Sequence, residues 1–259
     1  MLVTAITFSS SSFLISKSSI QWPLLFFLII LQSIAGVGLL VIGTPMLLIY
    51  NISFIEILSI LLPISILTSF FNLIFLKLNK KKLNIKIDQK MNFLFFTVCL
   101  PFIFLGLYLI KNFNEFINFK YLVSFVIFFS LIIMNQKKIL IKMNNNFRIL
   151  FLSFIGLIHG ISNTGGSLLS LFLTSNYNKN QSRYNITYFY FFLALFQFFI
   201  FLLLFNIEIK YINLLYISAI LPIGIIIGNF LTKYIDDINF KVIINFLSAT
   251  TCVILLIGA

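Results

Sequence analysis

The residues best suited to chemistry sit in two small, polar, glycine-bearing runs, each set inside a long apolar stretch: AGVGLLVIGTP from Ala35 to Pro45, with Gly38 within it, and GLIHGISNTGGS from Gly156 to Ser167. In the second run Ser162, Asn163 and Thr164 are residue types that cap helix starts, and Gly165, Gly166 and Ser167 follow before the apolar run resumes at Leu168. That order predicts a half-helix beginning inside an apolar medium. Its unpaired N–H groups and positive dipole end form an anion site, and the glycines let a ligand approach the backbone. In the first run Gly43, Thr44 and Pro45 predict the same device, with Thr44 as cap and Pro45 at the first helical position. Two such starts facing one another would hold one small oxyanion, with Thr44, Ser162, Asn163, Thr164 and Ser167 completing its shell of donors.

Other polar groups have competing readings. His159 is the single histidine and falls at mid-membrane depth, where it could contact the ligand, relay a proton, or bond a carbonyl freed by the break. Gly36, and Gly156 with Gly160, fit close helix packing as well as they fit a site; the consecutive caps and double glycine of NTGGS do not need packing to explain them. Glu56 and Arg183 flank the outer ends of two apolar stretches, as a gate pair or as ordinary rim charges. Gln32, Asn72 and Gln197 suit helix-to-helix hydrogen bonds. No Asp or Glu falls at mid-span and no metal-ligand cluster is present, so a membrane-embedded enzyme is poorly supported and no cofactor or metal ion is required.

The elements that must position these residues follow from composition. The chain is 61% hydrophobic and 9% charged, with 34 Phe in 259 residues, which excludes a soluble domain and predicts an all-α polytopic membrane protein. Hydropathy places eight spans near 21–50, 55–76, 92–111, 119–135, 148–174, 184–206, 211–232 and 240–258. The first and fifth are too long for one straight crossing, so each is broken or re-entrant. Residues 1–19 are serine-rich and read as a lead-in, not as a signal peptide. The net charge of +12 comes from clusters in alternate short loops: Lys77, Lys80, Lys81, Lys82, Lys86 and Lys90 in one, and Lys137, Lys138, Lys142 and Arg148 in another. That is a positive-inside pattern, not a nucleic-acid surface, and with eight crossings it puts both termini in the cytoplasm. Cys99 and Cys252 read as small core hydrophobes.

The halves echo each other. Leu100-Pro101, Gly106, Lys111 and INFK (Ile117 to Lys120) match Leu221-Pro222, Gly228, Lys233 and INFK (Ile238 to Lys241) in order. An internal duplication follows, with a first repeat at 20–142 and a second at 143–259. Four crossings per half imply parallel repeats; re-entrant first and fifth spans would allow inverted ones, and the sequence leaves both open.

GLIHGISNTGGSLLSLFL (Gly156 to Leu173) resembles the second signature of the sulfite exporter TauE/SafE family, a glycine-rich run followed by an apolar half-helix. The downstream segment with Arg183 and the run GVGLLVIGTPMLL (Gly36 to Leu48) are similar to the segments expected beside it and in the first half. The chain departs from the pattern at Leu39 and Leu40, where glycines are usual, and at His159 and Asn163, where small residues are common. The resemblance implies a secondary carrier in the bacterial plasma (inner) membrane. It implies export of sulfur-containing anions such as sulfite, thiosulfate or small organosulfonates, by alternating access of two halves. Substrate oxygens would meet the backbone at Gly43-Thr44 and Gly165-Gly166, with His159, Asn163 and Thr164 as side-chain donors. Coupling to H+ or Na+ and a homodimer are compatible with this reading. A passive anion channel and a non-transporting membrane scaffold are the alternatives.

Overall fold

The computed structural model of the chain describes residues 22–78, 85–87, 89–113, 145–205 and 212–257, with scattered residues between 118 and 132. The lead-in 1–19, Lys80 to Lys82, Lys137, Lys138 and Lys142 lie outside them, as does much of the span expected at 119–135. The described residues are mainly helical, with no strand among them. In chain order they are α1 (Trp22–Ala35), α2 (Leu39–Ile49), α3 (Phe54–Leu78), α4 (Gln89–Phe113), α5 (Asn145–Ser162), α6 (Gly165–Asn176), α7 (Lys179–Phe205), α8 (Ile212–Leu231) and α9 (Asp237–Ile257). Three of them, α3, α4 and α7, are long and apolar enough to cross a membrane; α1, α2 and α6 are shorter apolar helices. Leucine, isoleucine and phenylalanine fill one continuous core that runs through all of these elements.

The two long stretches expected to be broken or re-entrant each fold as a helical hairpin. Gly43 of α2 lies against Leu28 of α1, 3.0 Å from where a Cβ would stand, so α2 doubles back along α1. In the second half the rings of Phe151 on α5 and Phe172 on α6 are 5.9 Å apart, which places those helices side by side and antiparallel. Gly36 makes the first reversal possible. Its φ of +79° is left-handed, and a Cβ there would stand 2.7 Å from Thr187 Oγ1. Asn163, with φ +62°, makes the second.

Contacts along the helices fix their directions. On α3, Leu61 lies beside Gly43, Ser65 and Ser69 bond Gln32, and Asn72 bonds Ser33, so α1 and α3 run the same way. Gly224 and Gly228 of α8 meet Ile29 and Ser33, so α8 is parallel to α1. Cys99 and Ile103 of α4 meet Gly156 and Gly160, so α5 is parallel to α4. The link between α3 and α4 meets the start of α7: the Lys86 amide donates to Gln181 at 2.9 Å, and Asn185 donates to the Lys86 carbonyl at 3.0 Å. Lys179 in turn bonds Thr232, Ile235 and Asp237 between α8 and α9. Lys77, Lys86, Lys90, Lys179 and Lys233 therefore share one face, here called the basic face.

Hairpin α1/α2 opens on the face opposite Leu78, and hairpin α5/α6 opens on the basic face. The start of α1 and the end of α9 lie on the face opposite the basic one.

A further local feature is a π-helical turn at Phe95–Cys99 inside α4. Pro101 follows it closely and has no N–H to donate back along the helix, which loosens the backbone ladder at that point. The turn carries the Cys99 carbonyl onto Gly156, where a Cβ would stand only 2.1 Å from it. Gly160 meets Ile103 and Gly106 in the same way, so Gly156 and Gly160 serve helix packing. Cys99 and Cys252 are both buried and free.

Candidate functional site

The two hairpin tips meet inside the core. Asn163 Nδ2 donates to Thr44 Oγ1 at 2.8 Å, across 119 residues of sequence. Val37 at the first tip lies 3.0 Å from where a Gly166 Cβ would stand. Thr44, His159, Ser162, Asn163 and Thr164 are all fully buried, and Ser167 is 3% exposed. Gly38, Gly43, Pro45, Gly165 and Gly166 are buried with them. Arg183, also expected to bind substrate, lies elsewhere.

The first tip differs from expectation in where its helix begins. α2 starts at Leu39 with Gly38 at the cap position, so Thr44 and Pro45 lie within the helix and do not open it. The caps come from a distance. Leu39 N–H donates to Gln32 Oε1 at 3.3 Å, and Leu40 N–H donates to the Tyr190 hydroxyl at 3.1 Å. Gln32 Nε2 in turn holds the Ser65 carbonyl at 3.0 Å and Ser69 Oγ at 2.9 Å, which ties the tip to α3. Two of the orphan amides expected at a helix start are thus satisfied within the protein.

The second tip keeps its start open. Thr164 stands at the cap position of α6 as the residue types predict, yet its side chain makes no capping bond. Its hydroxyl is instead 2.6 Å from Ser162 Oγ, and either could donate. Ser162 also donates to the Ile158 carbonyl at 2.8 Å, and Ser167 Oγ donates to the Thr164 carbonyl at 2.8 Å. The positive dipole end of α6 therefore meets no side-chain acceptor at its cap.

Buried polar atoms without a partner in the protein gather at this tip: both ring nitrogens of His159, Asn163 Oδ1 and Gln197 Oε1. Such atoms are uncommon in a folded core, and each calls for an explanation. Gln197 Nε2 donates to the His159 carbonyl at 3.2 Å, so the carbonyl, not the imidazole, is what α7 holds. The Asn163 amide is not bound to one orientation. Thr44 Oγ1 can donate as well as accept, so the amide can turn and free its NH2 group.

Tyr190 is the residue the sequence reading missed. It is fully buried on α7, with its hydroxyl on the start of α2 and its ring against Gly166, where a Cβ would stand 2.4 Å from Cε2. Its ring also meets that of His159, edge-on, at 6.2 Å between centroids. Tyr190 thus sits between the two helix starts. The signal was available: Arg183, Tyr190 and Gln197 recur every seven residues, about two helical turns, and so share one face of α7.

Arg183 is neither a rim charge nor a partner of Glu56. It is 5% exposed, and its Nη2 donates to Asn229 Oδ1 at 2.7 Å and to the Ser33 carbonyl. Asn229 donates to Asn72 Oδ1 at 2.8 Å, and Asn72 donates to Ser33 Oγ at 3.0 Å, closing a network among α1, α3, α7 and α8. Asn72 is sixteen residues along α3 from Glu56, about 24 Å at 1.5 Å per residue. The two charges sit toward opposite faces.

No curated protein matches the chain, and no solved structure does. The family model for the sulfite exporter TauE/SafE matches residues 22–255, which takes in both hairpins and every helix around them. A membrane transporter of this kind fits the apolar helices and the paired interruptions, and the chain belongs to the sulfite exporter TauE/SafE family.

Proposed function

We propose that the protein exports a small sulfur-containing oxyanion, such as sulfite or a small organosulfonate, and binds it between the two hairpin tips. The observation that carries this reading is the second tip. An uncapped helix start stands beside a fully buried imidazole with no partner on either nitrogen. An oxyanion would take donors from the start of α6 at Gly165 and Gly166, from the His159 ring and from the Asn163 amide, with Ser167 holding the turn through the Thr164 carbonyl. Thr44 holds that amide, Ser162 and Thr164 hold the turn, and Gly38, Gly43 and Pro45 shape the opposing tip. The site is asymmetric, because Gln32 and Tyr190 already occupy amides at the start of α2.

The opposite directions of the hairpins support an inverted relation between the halves, 20–142 and 143–259, in place of a parallel one. In the second half the hairpin is followed by three helices, α7, α8 and α9, an odd number of crossings. Rocking of one half against the other would expose the tips to each face in turn, as inverted repeats do. With the basic face in the cytoplasm of a plasma (inner) membrane, the lysines collect anions on the side from which export begins. A coupling proton or sodium ion and a dimer are compatible with this arrangement.

Binding is tested by thermal unfolding of the purified protein with sulfite and sulfoacetate, against phosphate and chloride. Ligand at about a hundred times Kd stabilises by roughly 2.7 kcal/mol. A shift with sulfite that shrinks in His159→Phe supports the site; no shift with any sulfur oxyanion refutes it. Counterflow in proteoliposomes then separates a carrier from a passive channel, and a scaffold gives neither signal.

A further inference from the structure

Arg183 has a place in the fold that the hairpin-tip site does not explain. Its guanidinium is buried, and both acceptors it bonds are neutral: the Ser33 carbonyl in the last turn of α1 and the Asn229 amide oxygen. The end of the α1 dipole offsets part of the charge, but a carbonyl and an amide leave it formally positive. Arg183 Nε is also buried and has no partner in the protein. Buried charges are ordinarily paired with a counter-charge, since desolvation otherwise penalises the charged form heavily. Here Ser33, Asn72 and Asn229 bind one another and the guanidinium, and none of them brings negative charge.

The position is as telling as the charge. Arg183 lies one turn inside Lys179, whose ammonium bonds the Thr232 and Ile235 carbonyls at the basic face. Tyr190, at the tips, is two turns further along the same face of α7, about 10 Å away at 1.5 Å per residue. Basic loop, Arg183 and hairpin tips are therefore in order along one helix.

We propose that Arg183 is a second anion station, which takes the oxyanion from the basic face before it reaches the tips. A small oxyanion supplies the missing counter-charge and an acceptor for Nε. Asn229 and Ser33 hold the guanidinium in place without neutralising it. The inference rests on the transporter reading but concerns a different group of residues, so the two can fail separately.

The test uses the full chain, sulfite as probe, and three variants. Asn229→Asp is close to isosteric and places a carboxylate against the guanidinium. Arg183→Gln removes the charge, and Arg183→Lys keeps it. Thermal unfolding with sulfite is measured in wild type, in His159→Phe/Asn163→Ala, and in the same double variant carrying Asn229→Asp. The expected result is that the double variant keeps part of the sulfite stabilisation and that Asn229→Asp removes this remainder. In proteoliposomes, Asn229→Asp and Arg183→Gln should raise the half-saturating sulfite at the basic face by about tenfold or more, as loss of a charge-assisted bond predicts. The maximal rate should change far less, and Arg183→Lys should recover most of the affinity. Sulfite stabilisation and half-saturation unchanged in Asn229→Asp overturn the proposal, even if the tip variants lose binding. Equal loss of maximal rate from both faces, without a change in half-saturation, also overturns it, since a purely structural arginine would behave that way. Stabilisation retained in full by the double variant but lost in Asn229→Asp supports the Arg183 station and refutes the tip site. No stabilisation by sulfite in any form overturns both.

Discussion

Replacing Asn163 by alanine and by glycine separates its backbone role from its side-chain role. The residue holds φ +62° at the second tip, a left-handed conformation that costs an ordinary L-residue roughly 1–2 kcal/mol and glycine almost nothing. Its amide bonds Thr44 Oγ1 at 2.8 Å, a buried contact of about 1 kcal/mol net. Alanine loses both terms, about 2–3 kcal/mol together, whereas glycine loses chiefly the bond, about 1 kcal/mol. At roughly 2–4 °C per kcal/mol for a chain of this size, Asn163→Ala should unfold about 4–12 °C below wild type and Asn163→Gly about 2–4 °C below. Sulfite should stabilise neither variant as it does wild type, because both lack the amide. Thermal unfolding in detergent with and without sulfite reads both effects. Alanine as stable as glycine would refute the left-handed tip. Full sulfite stabilisation in both variants would refute contact between the Asn163 side chain and the anion.

Tyr190→Phe leaves the buried Leu40 amide without its acceptor, which should lower stability by about 1–3 kcal/mol; unfolding by heat measures it. Gly156→Ala places a methyl against the Cys99 carbonyl and should destabilise by roughly 1–3 kcal/mol. Gly43→Ala, whose neighbours are the movable tips of Leu28 and Leu61, should cost less in the same assay. Cysteines introduced at Lys86 and Asn178 should react with an impermeant thiol reagent from one side of the membrane, and one at Asn51 from the other. Labelling of Asn178 and Asn51 from the same side would refute the re-entrant geometry.

Local chemistry located the second tip well and the first one poorly. Ser162, Asn163 and Thr164 lie beside the helix they announce, so the start of α6 at Gly165 was legible from residue types alone. The caps of α2 are Gln32, on the preceding helix, and Tyr190, 150 residues away; the spacing of Tyr190 with Arg183 and Gln197 marks a shared face of α7, but nothing local ties it to the start of α2. Thr44 and Pro45 look like a helix start because threonine and proline favour one, yet α2 is already under way at Leu39. Hydropathy could not tell a broken crossing from a hairpin, since both need the same length of apolar chain. What distinguishes them is the pairing of Leu28 with Gly43 and of Phe151 with Phe172, which is tertiary. Arg183 looked like a rim charge because it stands at the edge of an apolar run. The helix in fact begins four residues earlier, and Asn229 and Ser33 fold over it.

The hairpins also constrain how the chain can be assembled in the cell. α2 and α6 have 11 and 12 residues, so each extends about 16–18 Å, roughly half the depth of a bilayer's hydrocarbon core. A nascent segment of that length cannot settle stably among lipids, and its turn would leave amides unpaired there. Among the described residues, α3, α4 and α7 are long and apolar enough to insert as they emerge from the ribosome. Hairpin α1/α2, although synthesised before α7, cannot be finished until Tyr190 arrives with that helix to close the Leu40 amide. Synthesis order and maturation order therefore run opposite ways in this half of the molecule, and a chain cut short before α7 would leave the Leu40 amide of its first hairpin without its acceptor.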